Sequence, residues 1–168
     1  MRRYPVFSIV SIILLLALFA FNFNARQQQT IPDIQMIDID GNNISLSHYK
    51  NNPLLVVFWA TDCPGCIKEI PDLIALNKEF AAQGFNILAI ALSHDKLSHI
   101  QALRSQRQLP YTIVWDQQGT IAQTFNNVRV TPTHFLINPE GEIVLRKIGE
   151  LNMERLRQAL HDMGLSIS

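Results

Sequence analysis

Residues 54–71 read LLVVFWATDCPGCIKEIP and hold both cysteines of the chain, Cys63 and Cys66. Leu54 to Ala60 is an unbroken apolar run between Asn52-Pro53 and the polar Thr61-Asp62, the pattern of a strand buried on both faces. From Cys66 onward Ile67, Ile70, Leu73, Ile74, Leu76 and Phe80 recur at helical spacing, and Gly84 supplies a stop. A Cys-x-x-Cys pair therefore falls where a central strand hands over to a helix. There the first sulfur meets free backbone N–H groups and the positive end of the helix dipole, and both stabilise a thiolate. Cys63 is the expected nucleophile. Cys66, one turn later and more buried, is placed to close a disulfide with it and so to resolve a mixed disulfide.

Other uses of two cysteines fit less well. A purely structural disulfide across so short a loop restrains little chain, and a helix start is chemically exposed. A zinc site needs a second ligand pair, and the sequence has no further cysteine. Covalent c-type haem attachment needs a histidine directly after the second cysteine, where Ile67 stands. No cofactor and no metal is expected beyond the redox-active Cys63–Cys66 pair.

Working outward, Ile34 to Ile39 alternates apolar with polar, Asp40-Gly41-Asn42 marks a turn, and Ile44 to Leu46 returns, which predicts a β-hairpin. After the active helix, Asn86 to Leu92 reads as a second buried strand. A helix from about Asp95 to Arg107, a strand at Tyr111 to Val114 and a short helix at Thr120 to Phe125 follow. His134 to Asn138 and Glu142 to Lys147 form a hairpin around Asn138-Pro139-Glu140-Gly141, and Met153 to Met163 is a closing amphipathic helix. The expected order is β-β-β-α-β-α-β-α-β-β-α.

The N-terminus differs in kind. Val6 to Phe23 carries no charge and is interrupted only by two serines and an asparagine. As a helix it would reach roughly 27 Å, close to the bilayer hydrocarbon thickness of about 30 Å. Arg2 and Arg3 precede it and place the N-terminus in the cytoplasm. The residues after the run offer no small-x-small cleavage site, so an uncleaved signal-anchor is expected. The division is then 1–25 as anchor, with residues 6–23 in the lipid bilayer, 26–30 as tether and 31–168 as one domain. The 168 residues balance 14 basic against 14 acidic side chains, without the charge excess of a nucleic-acid binder.

Three segments together carry a family resemblance: FWATDCPGCIKEIP, Val130-Thr131-Pro132-Thr133-His134-Phe135-Leu136-Ile137, and the DIDG hairpin. From about Ile31 to Leu165 the chain resembles the TlpA/ResA-type membrane-anchored thioredoxin-like proteins. The resemblance implies an α/β thioredoxin fold, a central mixed β-sheet flanked by helices, with an N-terminal β-hairpin extension and one preceding transmembrane helix. It implies thiol-disulfide oxidoreductase activity on exported proteins outside the bacterial cytoplasmic membrane and, in several branches, reduction of apocytochrome c before haem attachment. A DsbD/CcdA-like membrane electron donor is implied as partner. Pro132 matches the family's cis-proline beside the active site, with Thr131 pairing with an extended substrate. Pro71 falls where the first long helix is kinked. Glu69 matches the acid three residues after the second cysteine and would relay a proton to or from Cys66, replacing thioredoxin's buried aspartate, whose position is Val57 here. Asp62, Trp59, Thr131 and Pro132 are the expected substrate-facing residues.

The sequence departs from the family where tryptophan usually precedes the first cysteine, because Asp62 stands there, and in its Pro64-Gly65 dipeptide. Asp62 beside Cys63 and Glu69 near Cys66 would each disfavour a thiolate by like-charge repulsion. Strong oxidants in this superfamily owe their power to a stabilised thiolate, so a reductant is expected, with a disulfide oxidase as the alternative. A second alternative is a Sco-like copper chaperone with Cys63, Cys66 and His134 as ligands, since thiolate and imidazole suit copper. The peroxiredoxin pattern Pro-x-x-x-Thr-x-x-Cys is absent, since Thr61 lies only two residues before Cys63.

Overall fold

A computed structural model of the chain describes residues 32–166, together with residues 12 and 14. The expected anchor and tether otherwise lie outside the described residues. Among the described residues no helix is long and apolar enough to cross a membrane.

The elements are β1 (Gln35–Ile37), β2 (Asn43–Ser45), β3 (Leu54–Trp59), α1 (Pro64–Phe80), β4 (Asn86–Ala91), α2 (Leu97–Arg107), β5 (Thr112–Trp115), α3 (Thr120–Thr124), β6 (Thr133–Ile137), β7 (Ile143–Ile148) and α4 (Met153–Asp162). Their order is the expected one. Five strands form a mixed sheet in the order β5-β4-β3-β6-β7, with β3 parallel to β4, β4 parallel to β5, and β6 antiparallel to both β3 and β7.

β3 is central, and all six of its residues are buried. Strand alternation sends Leu55, Val57 and Trp59 to one face and Leu54, Val56 and Phe58 to the other. The first face packs against α1, Ile100 of α2, and Leu156 and Leu160 of α4. The second packs against Met36, Tyr49 and the residues of α3. At about 1.5–3 kcal/mol per fully buried large apolar side chain, this double burial fixes β3 more firmly than any local propensity does. The cysteines thus begin at the end of a fully buried central strand.

Several strand boundaries shift by one residue, and two larger shifts arise where an aspartate side chain captures backbone. The hairpin strands stop at Ile37 and resume at Asn43 because the Asp38 carboxylate accepts from the Asp40 and Asn42 N–H groups, at 2.9 and 2.8 Å, and from Asn42 Nδ2. The loop then docks on β5, Ile39 N–H donating to the Ile113 carbonyl at 2.9 Å, which covers that sheet edge. Likewise α2 begins at Leu97 rather than near Asp95, because Asp95 is turned toward Thr61 and accepts the Lys96 N–H. The stop at Gly84 is as expected: α1 ends at Phe80, a 3-10 turn follows, and Gly84 is left-handed at φ 93°.

Candidate active site

Cys63 is the N-cap of α1, and Pro64 occupies its first turn, where a missing N–H costs nothing. The Cys63 N–H donates to the Ala60 carbonyl at 3.2 Å, and Cys63 Sγ accepts the Cys66 N–H at 3.2 Å. The sulfur therefore sits on the unpaired end of the helix, as expected. Cys63 is half-buried while Cys66 is only 4% exposed, and the two are joined as a disulfide with Cα atoms 5.3 Å apart.

The Thr131–Pro132 peptide is cis, as the resemblance implied. Pro132 is packed against the dipeptide between the sulfurs: a side chain built on Gly65 would lie 3.5 Å from Pro132 Cδ. The loop is fixed from both sides, because the Thr133 hydroxyl donates to the Val130 carbonyl at 2.7 Å and Gly149 N–H donates to the Pro132 carbonyl at 2.8 Å. Thr131 is half-buried next to it. Two segments far apart in the sequence meet around one sulfur pair.

Beneath Cys66 lies a small cavity lined by Val57, Trp59, Cys66, Glu69, Ile70, Leu73, Ala89 and Tyr111. It offers ≈ 10 Å³ of room for the centre of a water molecule, about enough for one. Glu69 is 4% exposed; its Oε1 accepts the Leu151 N–H at 2.5 Å and its Oε2 lies 3.0 Å from His134 Nε2. Burial pushes the Tyr111 hydroxyl well above its ordinary pKa, so it stays a neutral lining group. Trp59, expected to face substrate, is instead found in the interior. It is 4% exposed and forms the cavity wall, with Nε1 buried and without a protein partner, so it belongs to the support of Cys66.

His134 also differs from the copper reading. β6 alternation turns it to the α1 face, where its ring meets Glu69 rather than the sulfurs. Among the described residues no three His, Cys, Asp or Glu side chains are grouped as a metal ion would need.

The sequence reading missed what holds the Cys63 loop. Asp95, 8% exposed, accepts from the Thr61 N–H and hydroxyl, each at 2.7 Å. Thr61 is thereby committed to Asp95. His94, one residue earlier, places Nε2 3.3 Å from Asp62 Oδ1 on the surface. The consecutive His94 and Asp95 in the loop after β4 grip the consecutive Asp62 and Thr61 after β3. Only the polar run after a buried strand hinted at this, and it does not distinguish a clamp from solvated loop.

A model of the AhpC/TSA family matches residues 27–146. The chain belongs to that family. Over 134 residues it is 31% identical to the thiol-disulfide oxidoreductase ResA of Geobacillus kaustophilus, covering 80% of this chain and 76% of the relative. It is 27% identical over 153 residues to the sporulation thiol-disulfide oxidoreductase A of Bacillus subtilis, covering 87% and 92%. Among solved structures, a candidate thioredoxin from Neisseria meningitidis superposes with a TM-score of 0.76 at 28% identity, covering 82% of this chain and 91% of that one. Fold and enzyme class are those expected: a thioredoxin-like thiol-disulfide oxidoreductase.

Proposed function

We propose that residues 6–23 anchor this chain in the bacterial cytoplasmic membrane and that its domain reduces disulfides in exported proteins on the outer side, apocytochrome c among them. The observation that carries the reading is the Cys63 sulfur capping α1 beside the cis Thr131–Pro132 peptide, with a buried acid behind Cys66. In the reduced enzyme the Cys63 thiolate attacks a substrate disulfide, forming Cys63–S–S–R and releasing the other substrate sulfur as a thiolate. The substrate segment lies extended along Thr131–Pro132. Glu69 then accepts the Cys66 thiol proton, directly or through one water in the cavity. The Cys66 thiolate attacks Cys63 Sγ, the Cys63–Cys66 disulfide closes, and the second substrate sulfur leaves as a thiolate that takes up a proton. Two electrons have passed to the substrate. A membrane thiol carrier of the DsbD/CcdA kind returns them.

The apolar run behind two arginines supports the anchor and its orientation. Replacing the resolving thiol tests the cycle: Cys66→Ser should accumulate mixed disulfides with native partners, all of them lost in Cys63→Ser/Cys66→Ser. Adducts that persist in the double variant, or none at all in the single one, would sink the model. Apocytochromes among the trapped partners select cytochrome maturation; exported proteins of many kinds select a general reductase.

A further inference from the structure

His134 is fully buried, and its two ring nitrogens are treated unequally. Nε2 lies 3.0 Å from Glu69 Oε2, while Nδ1 is buried without a partner. Three protonation patterns keep the 3.0 Å bond. If Glu69 is protonated on Oε2 and donates to Nε2, a neutral ring must carry its proton on Nδ1. If the ring is an imidazolium, Nδ1 again carries a proton. Both place an N–H in the interior with nothing to accept it, a situation native structures rarely tolerate. The remaining pattern has a neutral imidazole donating from Nε2–H to an ionised Glu69, which leaves only a bare acceptor at Nδ1. Leu151 N–H donates to the other oxygen, so both carboxylate oxygens are engaged as acceptors.

From this the geometry points to His134 as the positioning residue of the reaction, a neutral Nε2–H donor that keeps Glu69 an ionised base on the cavity that Cys66 also lines. The inference rests on the reading of Glu69 as the group that accepts the Cys66 proton. Taking a carboxylate out of water favours its neutral form, whereas donors on its oxygens favour the charged form, because bonds to an ionised acceptor are roughly twice as strong as neutral ones. A carboxylic acid that already carries its proton cannot receive another from Cys66. With His134 added, Glu69 accepts the Cys66 proton and, once the disulfide closes, surrenders it readily to the departing substrate thiolate. Glu69 from α1 bonds the ring and the exposed Lys147 of β7 is its cross-strand neighbour, while Cys66 and Tyr111 share the cavity with Glu69 and the exposed Lys68 of α1 interacts with its charge. On the β3 side the neighbour is Val57.

The test isolates the resolving step in the full-length protein. Cys63 is loaded as its mixed disulfide with glutathione, and glutathione release by Cys66 is followed against pH. His134→Leu should lower the rate at neutral pH about tenfold and move the rise of the pH–rate curve up by about one unit, with the rate recovering at high pH. His134→Gln, whose amide N–H can still donate to Glu69, should stay within about threefold of the unaltered protein. A purely structural histidine would lower the rate equally at all pH values, and that result overturns the proposal. So does a His134→Gln variant as slow as His134→Leu. On the unaltered protein, the ring nitrogen shifts of His134 should show a proton on Nε2 and none on Nδ1 at neutral pH; an Nδ1–H tautomer or an imidazolium overturns the assignment without any variant having to fold. Glu69→Gln separates the two readings. Release at the unaltered rate in that variant removes Glu69 as the base, whereas slow release there with normal release in His134→Leu removes His134 alone.

Discussion

Two acids approach the sulfur pair, and solvent decides which of them matters more. Asp62 is beside Cys63, but its side chain is 73% exposed and faces His94, so water and salt both weaken its field. Glu69 is 4% exposed and held by two donors, so its charge acts on Cys66 without that screening. The repulsion expected from Asp62 is therefore a small bias on Cys63, and the cycle proposed above gives control of Cys66 to Glu69. Asp62→Asn should raise the rate of iodoacetamide alkylation of reduced Cys63 about two- to threefold at neutral pH and low salt, because removing a neighbouring negative charge favours the thiolate. In 1 M salt, where the screening length is about 3 Å, the difference should vanish. An effect that survives high salt would mean that Asp62 acts by contact rather than by charge.

At the scale of elements, the strands and helices were legible because their periodicity reports the two faces of β3 and the single apolar stripe of α1. What the sequence hid is where side chains replace backbone as hydrogen-bond partners. Asp38 shortens a hairpin, Asp116 accepts the Ile121 and Ala122 N–H groups at 3.1 and 2.8 Å to start α3, and Asp95 pins Thr61. Each is an ordinary polar residue in a loop until its distant partner is known. The same holds for Glu69 and His134, separated by 65 positions: the acid was recognisable from its spacing to Cys66, and the histidine suggested a sulfur neighbour because strand alternation alone does not say which helix side chain it will meet. The Asp95 clamp is the element-scale device closest to the chemistry, since it joins the β4–α2 loop to the turn that carries Cys63. Asp95→Ala leaves the Thr61 N–H without its charged acceptor and should lower unfolding stability by about 2 kcal/mol, seen as a lower urea midpoint at unchanged slope. Exchange with small disulfides should slow in the folded variant, because the N-cap sulfur is no longer held at the helix start. An unchanged urea midpoint would show that the loop is fixed by packing alone.

At the scale of the whole molecule, the site lies where β3, α1 and the β6 loop converge, and every group argued to act on the sulfurs comes from residues 59–151. Chemistry and location are therefore separable. The cycle proposed above assigns no role to the chain before residue 31, but that segment would determine which partners the cycle meets. A five-residue tether, as expected for 26–30, would span about 12 Å as a random coil and hold the domain against the bilayer surface. A membrane donor and a tethered acceptor then meet at an effective concentration that reaches the millimolar range, instead of by free diffusion. Starting the chain at Ile31 should leave equilibration with glutathione unchanged within about twofold, because every partner named above for Cys63, Cys66 and Glu69 is retained. The same truncation should move the protein from the membrane fraction to the soluble fraction. In cells that export it, the shortened protein should accumulate with Cys63 and Cys66 oxidised, as judged by alkylation after acid quenching, since substrate still takes its electrons while the membrane donor meets it less often. A full-length protein found in the soluble fraction would overturn the anchor. A truncated one kept as reduced as the full-length protein would show that re-reduction does not depend on confinement at the membrane.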